Sequence, residues 1–225
     1  MRYANRTEAG RKLALRLEEY TGAEGLIVLG LPRGGVPVAA AVAEQLGAPL
    51  DTYVVRKVGV PGHEELAMGA VAGEGVTVRN DLVLERLGLP PDVFEVHAEA
   101  QRREVRRREE LYRRGLPSRE LRDRTVVLVD DGLATGATMK AAVEAVRKSH
   151  PARLIVAVPV AAQATAESLR QLLDGPGEEL VCLSEPEMLD GVGRWYEDFR
   201  QIDDDEVCQL LASAARHETA RPARS

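Results

Sequence analysis

Runs of consecutive aliphatic residues alternate along this chain with segments whose apolar positions recur every three or four residues. Residues 7–20 (TEAGRKLALRLEEY) set Leu13 and Leu17 at helical spacing and lead to Gly22, which predicts an N-terminal helix. LIVLG at 26–30 is an unbroken aliphatic run stopped by LPRGG, so it reads as a buried strand and then a loop. VPVAAAVAEQLG at 36–47 follows as a helix that Gly47 ends. DTYVVR at 51–56 is the next predicted strand, a Gly- and Pro-containing stretch covers 57–68, and AVAGEGVTV at 70–78 reads as a small hairpin around its two central glycines. Residues 92–114 predict a long charged helix. Strand 125–130, helix 137–148, strand 153–159, helix 163–173 and strand 179–183 come next. A last helix over 201–216 has Asp203, Asp204 and Asp205 favourably placed at its start, and 217–225 reads as a frayed end.

Strands separated by helix-length crossovers predict an α/β fold with a twisted, mostly parallel sheet flanked by helices. Ligands in such sheets bind beyond the C-terminal ends of the strands, near a switch in strand order. The composition agrees: 44% of the 225 residues are hydrophobic but only 4% aromatic, so the core is built from Val, Leu, Ile and Ala, as parallel sheets are. That length suits one domain, 1–225.

A net charge of −6 disfavours nucleic-acid binding. The seven arginines between 102 and 114 do not reverse this, because glutamates are interleaved with them at i,i+4 spacing: Glu99–Arg103, Glu104–Arg108, Glu109–Arg113 and Glu110–Arg114. Cys182 and Cys208 have no metal-ligand or CxxC spacing and read as reduced thiols of a cytoplasmic protein. No apolar run has the length of a membrane span, and residues 1–20 lack a signal-peptide core. The four histidines show no spacing for a metal site or a nucleophile–base pair.

The segment with the most chemistry is TVVLVDDGLATGATM at 125–139. An aliphatic strand delivers two adjacent carboxylates, Asp130 and Asp131, at its end. A loop of small residues then runs straight into a helix, so backbone N–H groups and a helix N-terminus converge into an anion site. Thr135 and Thr138 add hydroxyls. A phosphate in the loop beside two carboxylates fits a phosphorylated sugar.

VVLVDDGLATGAT is similar to the motif by which type I phosphoribosyltransferases bind 5-phosphoribosyl 1-pyrophosphate (PRPP). The resemblance implies that Asp130 and Asp131 hold the ribose 2′ and 3′ hydroxyls, with the 5′-phosphate cradled by Ala134, Thr135, Gly136, Ala137 and Thr138. Gly132 departs from the pattern, standing where an aliphatic residue is usual, which suggests a more pliable loop. Arg33-Gly34-Gly35, after the first buried strand, resembles the family's pyrophosphate loop; glycines let amides approach an anion and the arginine offers a charged fork. VRKVGVPGHEE at 55–65 resembles the loop that closes over PRPP, with Arg56 and Lys57 at its root, and its R-K-x-G-x-P-G pattern is similar to that of adenine phosphoribosyltransferases.

The resemblance covers roughly residues 25–160. It implies displacement of pyrophosphate from C1 of PRPP by a nitrogen nucleophile, with Mg²⁺ carried on the pyrophosphate and ribose oxygens, and with Asp130 and Asp131 near it, rather than held in a protein cage. Asp130, Asp131, Lys57 and Arg33 are the residues this assigns to catalysis. In 6-oxopurine enzymes an aspartate stands three residues after the second acid. Here that residue is Ala134, so the site looks more like those for adenine or orotate. In this family a variable hood of terminal segments covers the acceptor, which places the core at about 25–183 and the hood at about 1–22 and 184–216. Trp195, the single tryptophan, is a candidate to stack on a base or to anchor the tail, and Glu64 and Glu65 are candidates for a base-side acid. A homodimer is common in the fold. Some members sense PRPP without turning it over, and that alternative stands until turnover is measured.

Overall fold

The structure, a computed structural model, describes residues 2–114 and 118–219. Asn5 caps the first helix, α1 (Arg6–Leu15), accepting from the Glu8 amide, and α1 ends five residues sooner than its pattern suggests, passing into a 3₁₀ turn at Glu18–Tyr20. Strand β1 (Leu26–Gly30), helix α2 (Gly35–Leu46) and strand β2 (Leu50–Thr52) follow, α2 being stopped by Gly47 at φ 68°. Next come β3 (Val55–Val60), β4 (His63–Ala72), β5 (Thr77–Arg79), α3 (Asp81–Arg86) and α4 (Pro91–Arg113). The last elements are β6 (Thr125–Val129), α5 (Ala137–Arg147), β7 (Arg153–Val158), α6 (Gln163–Leu172), β8 (Glu178–Cys182) and α7 (Asp204–Thr219).

Five of the strands make one parallel sheet in the order β2-β1-β6-β7-β8. The aliphatic runs are unbroken because both faces are covered: Leu26 and Val28 point into a cluster with Leu13, Val36, Val42 and Val207 from α1, α2 and α7, while Ile27 and Leu29 point into one with Met139, Val143 and Leu169 from α5 and α6. Each such side chain removed from water contributes about 1.5–3 kcal/mol. The chain moves from β1 outward to β2 and later returns to β6 on β1's other side, so strand order reverses between β1 and β6. The loops leaving their C-terminal ends diverge there and open a crevice.

Two expectations need correction. The run at 51–56 is not one strand: β2 pairs with β1 in the parallel sheet, whereas β3 begins a separate antiparallel sheet, β3-β4-β5, after Tyr53 and Val54. The 57–68 stretch is largely paired strand rather than open loop, with β3 and β4 joined at Pro61–Gly62, where Gly62 takes φ 77°. The β4–β5 hairpin around Gly73–Gly75 is as expected. Helix α3 was not anticipated, although Asn80 caps it by accepting from the Val83 amide.

Helix α4 lies against β3, β4 and α7 through Phe94, Ala98, Val105 and Tyr112, an apolar stripe at 3.6-residue spacing. Its charge ladder is partly the expected one. Glu104–Arg108 (2.6 Å) and Glu109–Arg113 (3.6 Å) form, but Glu99 meets Arg102 (3.7 Å) and Arg106 (3.2 Å), and Arg114 reaches Asp205 (3.6 Å). The segment at Tyr3 meets the one at residues 195–197. The Tyr3 amide donates to the Trp195 carbonyl and the Glu197 amide to the Tyr3 carbonyl, both at 2.8 Å, and the Tyr3 and Tyr196 rings pack with centroids 5.5 Å apart.

Candidate functional site

Strand β6 runs out at Val129 and presents Asp130 and Asp131 at the β1/β6 switch point. The Asp131 amide donates to Asp130 Oδ1 (2.8 Å), which fixes the first carboxyl. Burial, reinforced by the neighbouring Asp131 charge, raises the Asp130 pKa well above the ordinary carboxylate range. Burial raises Asp131 too, but Arg6 opposes it. Arg6 Nε and Nη2 both lie 2.8 Å from Asp131 Oδ2, Nη1 donates to the Arg200 carbonyl (3.0 Å), and the guanidinium sits 3.9 Å from the Phe199 ring centroid. The Tyr196 hydroxyl donates to the Asp131 carbonyl (2.6 Å).

Beyond the acids the loop is held in place. Gly132 adopts φ 158°, and a Cβ there would lie 2.6 Å from Val192 and 2.9 Å from Val160, so close approach demands glycine where the sequence pattern had an aliphatic residue. Leu133 pairs with Ala161, and Thr165 Oγ1 donates to the Ala134 carbonyl (2.6 Å). Gly136, at φ 68°, then turns the chain into α5, so residues 134–138 wrap the N-terminus of an 11-residue helix. That is an anion-binding geometry.

The Arg33-Gly34-Gly35 loop follows β1 directly and packs under the acids. A Cβ on Gly34 would lie 2.2 Å from Asp131 Oδ2, and one on Gly35 would lie 2.6 Å from the Val129 carbonyl and 2.9 Å from Asp130 Cα. Both glycines are therefore required by contact with the acid pair, and Arg33 is carried to its edge. On one side, a cavity of about 370 Å³ is lined by Arg6, Arg33, Gly34, Asp131, Phe199 and Gln201. On the other, a cleft of about 540 Å³ is lined by Arg56 and Lys57 of β3, Thr138 of α5, and His97, Gln101 and Arg108 of α4. Arg56 donates to Gln101 Oε1 (3.1 Å).

The residues singled out in the sequence thus gather at one edge of the sheet: the acids, the 134–138 loop, Arg33 to Gly35, Arg56 and Lys57. Trp195 does not line the smaller cavity; it packs against the cluster of Tyr3, Ala9 and Tyr196, and Phe199 is the aromatic that lines the cavity. The Glu64 and Glu65 side chains lie outside the described residues. Sequence reasoning missed Arg6, Phe199, His97, Gln101 and Arg108. Among the described residues no group of three or more His, Cys, Asp or Glu could hold a metal ion.

A sequence profile described as the phosphoribosyl transferase domain matches residues 3–173, spanning α1, both site loops and α6. The chain belongs to the phosphoribosyl transferase family. A Mycobacterium tuberculosis protein, provisionally named a phosphoribosyl transferase and found in strains H37Rv and CDC 1551, is 43% identical over 214 residues, covering 95% of this chain and 47% of that protein. The chain thus spans about half the length of the curated relatives it matches. The crystal structure of TT1426 from Thermus thermophilus is 43% identical with a TM-score of 0.86, covering 95% of this chain and 99% of that one. A purine phosphoribosyltransferase from Pyrococcus horikoshii aligns over 90% of this chain and 96% of its own, at 18% identity and a TM-score of 0.46. So distant a likeness says nothing of the base used here.

Proposed function

We propose that this protein binds PRPP·Mg²⁺ at the β1/β6 switch point and transfers the 5-phosphoribosyl group to a nitrogen acceptor, a nucleobase, with release of pyrophosphate. One observation carries this reading. An adjacent acid pair, an anion-binding helix start and an Arg-Gly-Gly loop converge at a single point, and both loop glycines have no room for a Cβ against the acids.

In this reading Asp130 and Asp131 take the ribose hydroxyls and residues 134–138 the 5′-phosphate. Arg33, the amides of Gly34 and Gly35, Arg56 and Lys57 take the pyrophosphate. Mg²⁺, when bound, neutralises charge on the diphosphate. The C1–O bond to pyrophosphate breaks, the acceptor nitrogen bonds to C1 from the opposite face, and the nitrogen's proton leaves to solvent. The transition state has ribosyl-cation character, so the residues act by positioning and by matching charge. Residues 1–225 act as one unit with a core of about 25–183, and the terminal segments, about 1–22 and 184–216, form the acceptor's cover. The 370 Å³ cavity beside Asp131 and Phe199 receives the base. Ala134, three residues past the second acid, points to adenine or orotate rather than a 6-oxopurine.

The test is pyrophosphate release from PRPP and Mg²⁺ with adenine, orotate, uracil and 6-oxopurines supplied singly. Release with one of them, abolished by Asp131→Asn, supports transfer and names the acceptor. Binding of PRPP without release from any of them refutes transfer to those bases and leaves a sensor.

A further inference from the structure

Arg6 stands 125 residues from the acid it contacts and belongs to no motif, yet it is the most committed polar group at the site. It is 7% exposed, and all three of its guanidinium nitrogens are engaged: Nε and Nη2 with Asp131 Oδ2, and Nη1 with the Arg200 carbonyl. Its planar face rests on Phe199, which stacks in turn on Tyr196 with ring centroids 5.1 Å apart. Arg6 begins α1 immediately after its Asn5 cap, so its backbone is fixed by the helix start. Both contacts to Asp131 converge on one oxygen, and Gly34 closes the same side, since a Cβ there would sit 2.2 Å from that Oδ2. The carboxylate is thereby gripped by Oδ2.

We propose that Arg6 is a positioning residue for sugar recognition: it holds the Asp131 carboxylate so that Oδ1 meets a ribose hydroxyl, and it joins that acid to the wall of the acceptor cavity through Phe199. This rests on the PRPP reading above and adds to it a residue from the N-terminal helix. A guanidinium is needed because its planar fork reaches a carboxylate and a carbonyl together while stacking on a ring, which an ammonium does not do. A neutral side chain would leave Asp131 buried, unpaired and free to rotate.

The experiment compares Kd values for PRPP·Mg²⁺ and for inorganic pyrophosphate·Mg²⁺ by calorimetry in wild type, Arg6→Gln, Arg6→Lys and the exposed control Arg11→Gln, with melting curves for each. Pyrophosphate lacks the ribose, so a sugar-positioning role is selective. Arg6→Gln should weaken PRPP about tenfold or more, the scale of one charge-assisted hydrogen bond, and leave pyrophosphate within about twofold. Arg6→Lys should recover part of the PRPP loss, and Arg11→Gln should match wild type. Equal loss of both ligands in Arg6→Gln would mean general loosening of the site and would overturn the proposal. So would unchanged PRPP affinity. If wild type itself binds pyrophosphate but not PRPP, or neither, the PRPP reading fails and this inference falls with it.

Discussion

Gly34→Ala isolates the contact between the Arg-Gly-Gly loop and the acid pair. Gly34 has φ −61° and ψ −34°, ordinary right-handed values, so alanine brings no backbone strain and any effect must come from its methyl group. That methyl would lie 2.2 Å from Asp131 Oδ2 and 2.7 Å from its Cγ. Reaching ordinary contact, about 3.5 Å, requires the carboxylate to retreat by roughly 1 Å. A shift of that size, where it runs away from Arg6, stretches contacts that now stand at 2.8 Å beyond hydrogen-bond range. Overpacking costs about 1–3 kcal/mol and loss of a charged hydrogen bond about 1.5–3 kcal/mol. The two are alternatives rather than a sum, because a carboxylate that moves relieves the clash and one that stays keeps the bond. The expected destabilisation is therefore about 2 kcal/mol, or a fall in Tm of about 4–8 °C. Affinity for PRPP·Mg²⁺, read by calorimetry, should fall about tenfold or more because Asp131 no longer faces the sugar. Gly35→Ala offers the contrast. Its methyl meets the Val129 carbonyl and Asp130 Cα, which are strand-end backbone and have nowhere to go, so its Tm should fall further. A Gly34→Ala variant that melts with wild type and binds PRPP equally would refute the reasoning, as would one less stable than Gly35→Ala.

Asp130 is raised well above the carboxylate range by burial and then by the Asp131 charge, so the folded state favours its neutral form, and stability should grow as pH falls through that raised pKa. Asp130→Asn should therefore melt at or above wild type near about pH 8, the gap closing toward about pH 4, while turnover is lost; a variant melting well below wild type at the higher pH contradicts this. Glu104 is held down to about 2 by hydrogen bonds first from Arg107 and then from Arg108, so its contribution is complete above the ordinary carboxylate pKa and is lost as pH falls from there through about 2. The Tm difference between wild type and Glu104→Gln should accordingly be present at neutral pH and vanish in acid; a difference that is flat with pH refutes it. Phe199→Ala should raise the acceptor KM more than the PRPP KM, whereas Trp195→Ala should lower Tm and spare the kinetics. Steady-state measurements on the pair show whether those two roles are reversed.

The parts legible in the sequence are those in which neighbours in sequence share a task. The run 125–139 carries its strand, acids, loop and helix start in consecutive positions, so its local structure could be read directly. The Arg-Gly-Gly loop was readable for the same reason, although only the structure explains why both glycines are needed: the Asp131 carboxylate that Gly34 meets and the strand-end backbone that Gly35 meets lie about a hundred residues further on. Strand 51–56 was misjudged because β-branched and aromatic residues run straight through the point where the chain leaves one sheet for another. The hairpin at 55–72 was hidden by glycines and one proline, Pro61, that mark its turn and irregular register rather than a loop. Arg6 left no signal. It is one arginine in a chain rich in them, and its partners are brought in by the fold from the distant segments 131 and 199–200. Of the two roles the sequence leaves open for Trp195, its packing on Tyr3, Ala9 and Tyr196 suits the anchoring one, and the aromatic at the cavity is the smaller Phe199.

The most direct test of the central claim is a calorimetric titration of PRPP·Mg²⁺ into wild type and Asp131→Asn, after melting curves have shown both to be folded. Saturable one-site binding to wild type, weakened by about 1.5–3 kcal/mol or more in the variant, is the expected result, because the lost carboxylate accepts a charge-assisted hydrogen bond from the sugar. No binding to folded wild type, or equal binding to both proteins, would contradict the assignment of the acid pair to ribose and with it the proposed function.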